Sequence, residues 1–202
     1  VADRIIVMRA GKGVGETRPA DTEDVGLARL RVGRDVVLRV EKSASTCGDE
    51  VLTVEDLHVM GDRGLEAVSG VSFTVCGGEV VAIAGVSGNG QSELIEAIVG
   101  LRKAKGGSIK LKDSDITHAN ARKSIEAGLS HIPEDRHRRG LVLQFNLAEN
   151  LVLGDHRVEP YAKAGIMKPR VIIEMARKRI EDYDIRTPSE GVLAGNLSGG
   201  NQ

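Results

Sequence analysis

Apolar residues recur along this chain at two different periods, and the switches between them mark out its elements. Residues 51–59 and 68–75 alternate apolar and polar positions, which predicts strands with one face buried. The continuous run VVAIA at 80–84 predicts a central strand covered on both faces. From Leu94 the period lengthens: Leu94, Ile95, Ile98 and Val99 share a helical face, and Gly100 ends the pattern. Residues 108–111 and 129–132 predict two more strands with a helix over 120–127 between them, and Pro133 closes the second. Helices are predicted over 147–153 and 170–183, the latter placing Ile172, Ala176, Ile180 and Tyr183 on one face. Strands alternating with helices indicate an α/β layer architecture.

The first fifty residues have a different texture. Residues 4–9 predict a strand and the GKG at 11–13 a turn. Asp21, Thr22, Glu23 and Asp24 offer N-cap chemistry to a short pattern of Val25, Ala28, Leu30 and Val32 that stops at Gly33. Residues 34–50 have no periodicity and are taken as a linker. A protein rarely opens on a strand this abruptly, so the first residues are expected to be the end of a preceding domain.

Composition narrows the options. With 41% hydrophobic and 28% charged residues the chain has the balance of a soluble globular protein, and with 2% aromatics its core must be aliphatic. A formal net charge of -1 supplies no field for nucleic acid or an anionic membrane surface, so no nucleic-acid partner is expected. The basic run Arg136-His137-Arg138-Arg139 reads as a solvated loop, and His131 and His137 lack metal-ligand companions at useful spacing. Cys47 and Cys76 follow no metal or redox spacing and are expected to be reduced structural thiols. No apolar stretch approaches the roughly 20 residues needed to span a bilayer, and the opening residues lack secretory-signal character, so a soluble intracellular chain is expected.

The candidate chemistry lies between the run at 80–84 and the helix after it. A phosphate-binding loop has the form Gly, four free residues, Gly, Lys, then Ser or Thr, set between strand and helix. Gly85, Gly90 and Ser92 satisfy it, with Ser87, Gly88 and Asn89 between them, and Gln91 stands where lysine belongs. Glycines let backbone N–H groups curl around phosphate oxygens, and the following helix N-terminus adds partial positive charge. Ser92 retains the hydroxyl that ligates Mg²⁺, but Gln91 offers a neutral amide in place of a cation. One charge pair at about 4 Å is worth about 4 kcal/mol at an effective dielectric near 20, before desolvation is subtracted. Weak nucleotide binding and poor turnover at this loop follow.

The chain ends on Leu197-Ser198-Gly199-Gly200-Asn201-Gln202, which resembles the LSGGQ-type signature motif of ABC ATPases in the variant LSGGNQ. It follows the degenerate phosphate loop and a helical segment in the order an ABC cassette requires. Together with Ile132-Pro133-Glu134-Asp135-Arg136 and Glu149-Asn150-Leu151, the two motifs are similar to the second cassette of fused importer subunits for simple sugars and nucleosides. In that family the second phosphate loop commonly lacks its lysine, and glutamine there leans towards the nucleoside branch.

The resemblance implies a P-loop NTPase of the ABC type: an antiparallel β subdomain, a mixed or parallel core sheet with helices, and a helical insert over about 137–196. Residues 1–33 would be the end of a first cassette, and the cofactors would be ATP and Mg²⁺. Nucleotide contacts are implied for Gly85, Ser87, Gly88, Asn89, Gly90, Gln91, Ser92, Glu134, Ser198, Gly199, Gly200 and Gln202, with Ser92 and Glu134 at the metal. Glu134 stands where the family has a metal-facing glutamine; a carboxylate can still reach Mg²⁺ but adds repulsion towards phosphate. The aromatic that stacks on adenine is missing, with Met60 the nearest large side chain. The acidic Mg²⁺ strand, catalytic glutamate and histidine switch of the family are expected beyond Gln202, so no catalytic residue is assigned here. Partners would be the first cassette of the same polypeptide, membrane permease subunits and, indirectly, a solute-binding protein, at the cytoplasmic face of the membrane. Two alternatives stand beside this: a soluble ABC ATPase outside transport, and a non-catalytic scaffold or regulatory cassette.

Overall fold

The structure is a computed structural model that describes residues 2–9, 11–21, 26–27, 29–30 and 46–202. Two compact units divide it, 1–46 and 47–202. In the first, β1 (Ile5–Arg9) and β2 (Lys12–Thr17) form an antiparallel hairpin with Ile5 opposite Thr17 and Arg9 opposite Lys12. Its turn is tighter than the sequence suggests, because Lys12 and Gly13 already belong to β2. The N-cap residues 22–24, Val25, Ala28 and Val32 lie outside the described residues, as do residues 34–45 of the expected linker 34–50.

The second unit is built on β3 (Glu50–Met60), which pairs antiparallel with β4 (Glu66–Cys76) on one side and β5 (Ala104–Leu111) on the other. A short β6 (Ser114–Asp115) extends the sheet to the order β4-β3-β5-β6. Strict alternation would place Leu57 on the face opposite Val54, yet both are buried. The register shifts between them, and Asp56 takes φ 46 with its N–H donating to Ser72 Oγ at 2.8 Å. This bulge inserts one residue and returns Leu57 and Val59 to the core. Over that face α1 (Gln91–Ile98) packs Leu94, Ala97 and Ile98, closing a core with Val68, Ile109 and Ile116. Beyond it, α2 (Ala121–Glu126) starts at Asn120, whose side chain accepts from Lys123 N at 3.0 Å.

A smaller core gathers Ala148, Val152, Ile172 and Ala176. Its helices are α3 (Leu147–Leu151), opened by a capping box of Asn146 and Glu149, and α4 (Pro169–Asp182). A short hairpin of β7 (Ala162–Lys163) and β8 (Ile166–Met167) precedes α4. The buried stripe of α4 is narrower than its periodicity suggests. Tyr183 follows the last helical turn, is 70% exposed, and lies 6.0 Å from the Arg179 guanidinium instead.

Three expectations are corrected here. The run at 80–84 forms no strand and pairs with none among the described residues, with Val80 80% exposed, and 129–132 behaves the same way, with Ile132 94% exposed. A central strand needs hydrogen-bonding neighbours on its edges and cover on its faces. Instead Val81 and Ile83 look across an apolar groove of about 240 Å³ towards Leu129 and Ile132. Every sheet among the described residues is therefore antiparallel, and the expected parallel core strands do not form there. The third concerns Cys47 and Cys76, which are joined in a disulfide with Cα atoms 5.6 Å apart. Backbone bonds between Gly48 and Gly77 and between Gly77 and Asp49 carry the β3–β4 pairing past Glu50, bringing the cysteines across from each other.

Candidate functional site

Residues 85–92 wrap the start of α1. Asn89 N donates to Val86 O at 3.1 Å to close the turn, and Gly90 passes beneath β4 at φ 95. A Cβ there would collide with the Ala67 carbonyl, so the position requires glycine on both steric and conformational grounds. Among the described residues no side chain caps α1; its first intrahelical bond runs from Leu94 N to Gly90 O at 2.9 Å. The N–H groups of Gln91, Ser92 and Glu93 therefore have no carbonyl within the helix, which is the arrangement that receives an anion. Ser87, Gly88 and Asn89 are exposed on the loop.

Gln91 does not extend into the open cradle. Its Nε2 lies 3.4 Å from Val86 O and presses against Gly85, so the amide folds across its own loop. Ser92 Oγ and Glu134 Oε2 approach to 3.3 Å, at the outer limit of a hydrogen bond. Both line a cleft of about 330 Å³ together with Glu96, Arg138 and Arg139. Two hard oxygens from a hydroxyl and a carboxylate are a donor set that suits Mg²⁺ with water and phosphate completing its shell. The glycine cradle likewise fits phosphate, apart from the missing cation.

The wall of that cleft is fixed by an ion network. Glu96, one turn after Ser92 on α1, accepts from Arg102 at 2.7 Å and pairs with Arg139. Arg102 continues to Asp62 Oδ1 at 2.7 Å and the Met60 carbonyl at 3.0 Å, tying the end of β3 to α1. Burial pushes the Glu96 carboxyl up, but the hydrogen bonds from Arg102 and Arg139 outweigh it and hold it below its ordinary value. Arg102 is raised in turn, first by its bond to Asp62 and then by Glu96. Arg139 belongs to a π-helical turn, Arg136–Gly140, opened by Asp135, whose Oδ1 accepts from His137 N and Arg138 N at 3.0 Å. The Glu134 loop is thereby held to α1 at two points.

Residues 198–202 form one turn, closed by Gln202 N to Ser198 O at 3.1 Å. Ser198 Oγ accepts from Asn201 Nδ2 at 2.8 Å, leaving its own proton free to donate. Gln202 is fixed from both ends of its amide: Nε2 donates to Ala194 O at 3.0 Å, while Oε1 accepts from Arg136 Nε at 3.1 Å and His137 Nε2 at 2.7 Å. No hydrogen bond among the described residues joins this turn directly to the loop at 85–92. Residues 134–137 bridge them, Glu134 touching Ser92 and Arg136 touching Gln202.

Arg136 and His137 therefore have a place that their sequence context hides. They read as a solvated basic run, and half of that holds, since both are exposed. Their partner lies 66 and 65 positions away, a separation that local sequence cannot announce.

Residues 68–202 match the ABC transporter family. The whole chain is 46% identical over 202 residues to the guanosine import ATP-binding protein NupO of Bacillus subtilis (strain 168) and 45% identical to the nucleoside import ATP-binding protein NupA of Lactococcus lactis subsp. cremoris (strain MG1363). It spans 40% of the length of each of these relatives. Among solved structures, a nucleotide-free ATP-binding cassette from an ABC transporter superposes with a TM-score of 0.59 at 28% identity, covering 75% of this chain and 60% of that one.

Proposed function

The chain belongs to the ABC transporter ATP-binding family, with the ABC ATPase cassette fold, and we propose that it is a stretch of an importer's ATP-binding subunit for a nucleoside or simple sugar. Residues 51–202 are the front of a second cassette on this reading, and 1–33 the end of a first. The subunit sits at the cytoplasmic face of a membrane, bound to permease subunits that a solute-binding protein supplies. The path for solute belongs to those partners, and no helix of the described residues is long and apolar enough to cross a membrane.

Two cassettes that close head to tail place each triphosphate between one phosphate loop and the other cassette's signature turn. The two sites are then unequal. Ser198 donates its free hydroxyl proton, and Gly199 and Gly200 their N–H groups, to a triphosphate held by the first cassette. The loop at 85–92 forms a weak half-site, where Ser92 and Glu134 hold Mg²⁺. Mg²⁺, when bound, neutralises charge on the phosphate oxygens. The observation that carries this reading is Gln91, which supplies no cation and turns its amide back onto Val86 and Gly85.

The test is ATP-driven uptake by the full subunit reconstituted with its permease in proteoliposomes. Ser198→Arg places a bulky side chain in the signature turn and is expected to abolish uptake, whereas Gln91→Ala is expected to change it less than about twofold. Equal damage from the two substitutions would rule out unequal sites.

A further inference from the structure

Arg136 is an exposed cation beside the signature turn whose guanidinium is only partly used. Its Nε donates to Gln202 Oε1 at 3.1 Å, and no hydrogen bond or ion pair among the described residues engages its two Nη groups. Nη2 is directed at Gly199: a Cβ on that glycine would stand 2.6 Å from it. The neighbouring cations differ. Arg139 is committed to Glu96, and Arg138 lines the cleft on the Ser92 side.

The placement of Arg136 is also over-determined. The Gln202 amide can adopt one orientation only, because Ala194 O demands a donor and Arg136 Nε demands an acceptor. His137 Nε2 then carries the proton, and Arg136 is aimed by a residue of the signature turn itself. Gly199 leaves the room that the fork occupies. A planar guanidinium whose two Nη groups remain free at its end, fixed against a turn that offers a hydroxyl and backbone donors, is a receptor for a multiply charged phosphate.

We propose that Arg136 is a phosphate-binding residue of the signature site, donating from its Nη groups to the terminal phosphate of the nucleotide that the facing cassette presents, with Gln202 and His137 as its positioning residues. The proposal rests on the head-to-tail reading above. It gives the complete site a cation contributed from the signature side, beyond the neutral donors of the turn. The selectivity follows from chemistry: a fork at the signature turn reaches the terminal phosphate of a triphosphate, and a diphosphate lacks that group.

The experiment uses the full subunit with its permease in detergent and measures equilibrium binding of a non-hydrolysable ATP analogue and of ADP. Arg136→Gln is expected to weaken the triphosphate analogue about tenfold or more while ADP changes less than about twofold. Arg136→Lys, which keeps the charge and loses the fork, is expected to recover part of the loss. Gln202→Ala, which frees the fork without removing charge, is expected to fall between wild type and Arg136→Gln. Unchanged analogue binding by Arg136→Gln, or equal losses for the analogue and ADP, would overturn the proposal, the latter because a structural latch acts on both alike. Ser198→Arg separates the two levels. If it weakens analogue binding while Arg136→Gln does not, only the assignment of Arg136 fails; if it too leaves binding intact, the signature reading fails with it.

Discussion

Replacing Glu96 by glutamine isolates the charge that holds the Glu134 loop against α1. The Glu96 side chain is 13% exposed and receives Arg102 at 2.7 Å and Arg139 beside it. The substituted amide would keep the shape but leave Arg102 and Arg139 without their shared anion, and Arg102 would retain Asp62, which is 85% exposed. Hydrogen bonds to charged groups contribute about 1.5–3 kcal/mol each, and part of one survives to the amide, so a loss of about 2 kcal/mol is expected at neutral pH. For a chain of this size that lowers the melting temperature by about 4–8 °C.

Glu126→Gln provides the contrast, because its pair with Arg122 is more than half exposed on both sides and should change stability by less than about 0.5 kcal/mol. The pH dependence has a definite sign. Glu96 is depressed below its ordinary 4.5, so its contribution is complete above that value and is lost as pH falls through the lower folded value. Thermal melts of wild type and Glu96→Gln should therefore differ at pH 7 and converge only once the pH has fallen below the lowered folded value of Glu96. Equal shifts for Glu96→Gln and Glu126→Gln, or a gap that persists undiminished in acid, would refute the reasoning.

Two further substitutions probe the loop and its sheet. Gly90→Ala adds a Cβ that meets the Ala67 carbonyl at a left-handed residue, and is expected to cost about 2–5 kcal/mol in a denaturant melt; a loss under about 1 kcal/mol would show that the loop does not pass under β4 as described. The Cys47–Cys76 disulfide closes a separation of 29 residues, for which chain entropy gives about 3–4 kcal/mol. Cys47→Ser, or reduction by a dithiol, should lower the melting temperature, and a thiol titration that finds both cysteines free in untreated protein would contradict the bond.

Much of the fold was legible because local periodicity and burial agree. Strands β3 and β4 appear at their predicted places to within a residue or two, and the helix after Gly90 begins where the glycine loop ends. The helices near 120, 147 and 170 follow from apolar spacing backed by caps at Asn120 and Asn146 and by Pro169 at a first turn. The loop itself was legible through glycines whose backbone demands leave few substitutes. Its missing lysine was visible from a single letter.

What the sequence could not determine is which distant groups meet. VVAIA at 80–84 has the composition of a buried strand, but burial and pairing are properties of neighbours, and its neighbours here form a groove. The disulfide depends on how far the β3–β4 ladder runs past Glu50, and the return of Leu57 to the core on a bulge at Asp56. Arg136 and His137 acquire a partner only when the chain brings Gln202 back across more than sixty residues. Short-range preference is written in adjacent residues, because it arises from their own backbone and side-chain sterics. Long-range hydrogen bonds and ion pairs exist only once packing has set the distance, and for this protein that is where the candidate site is assembled.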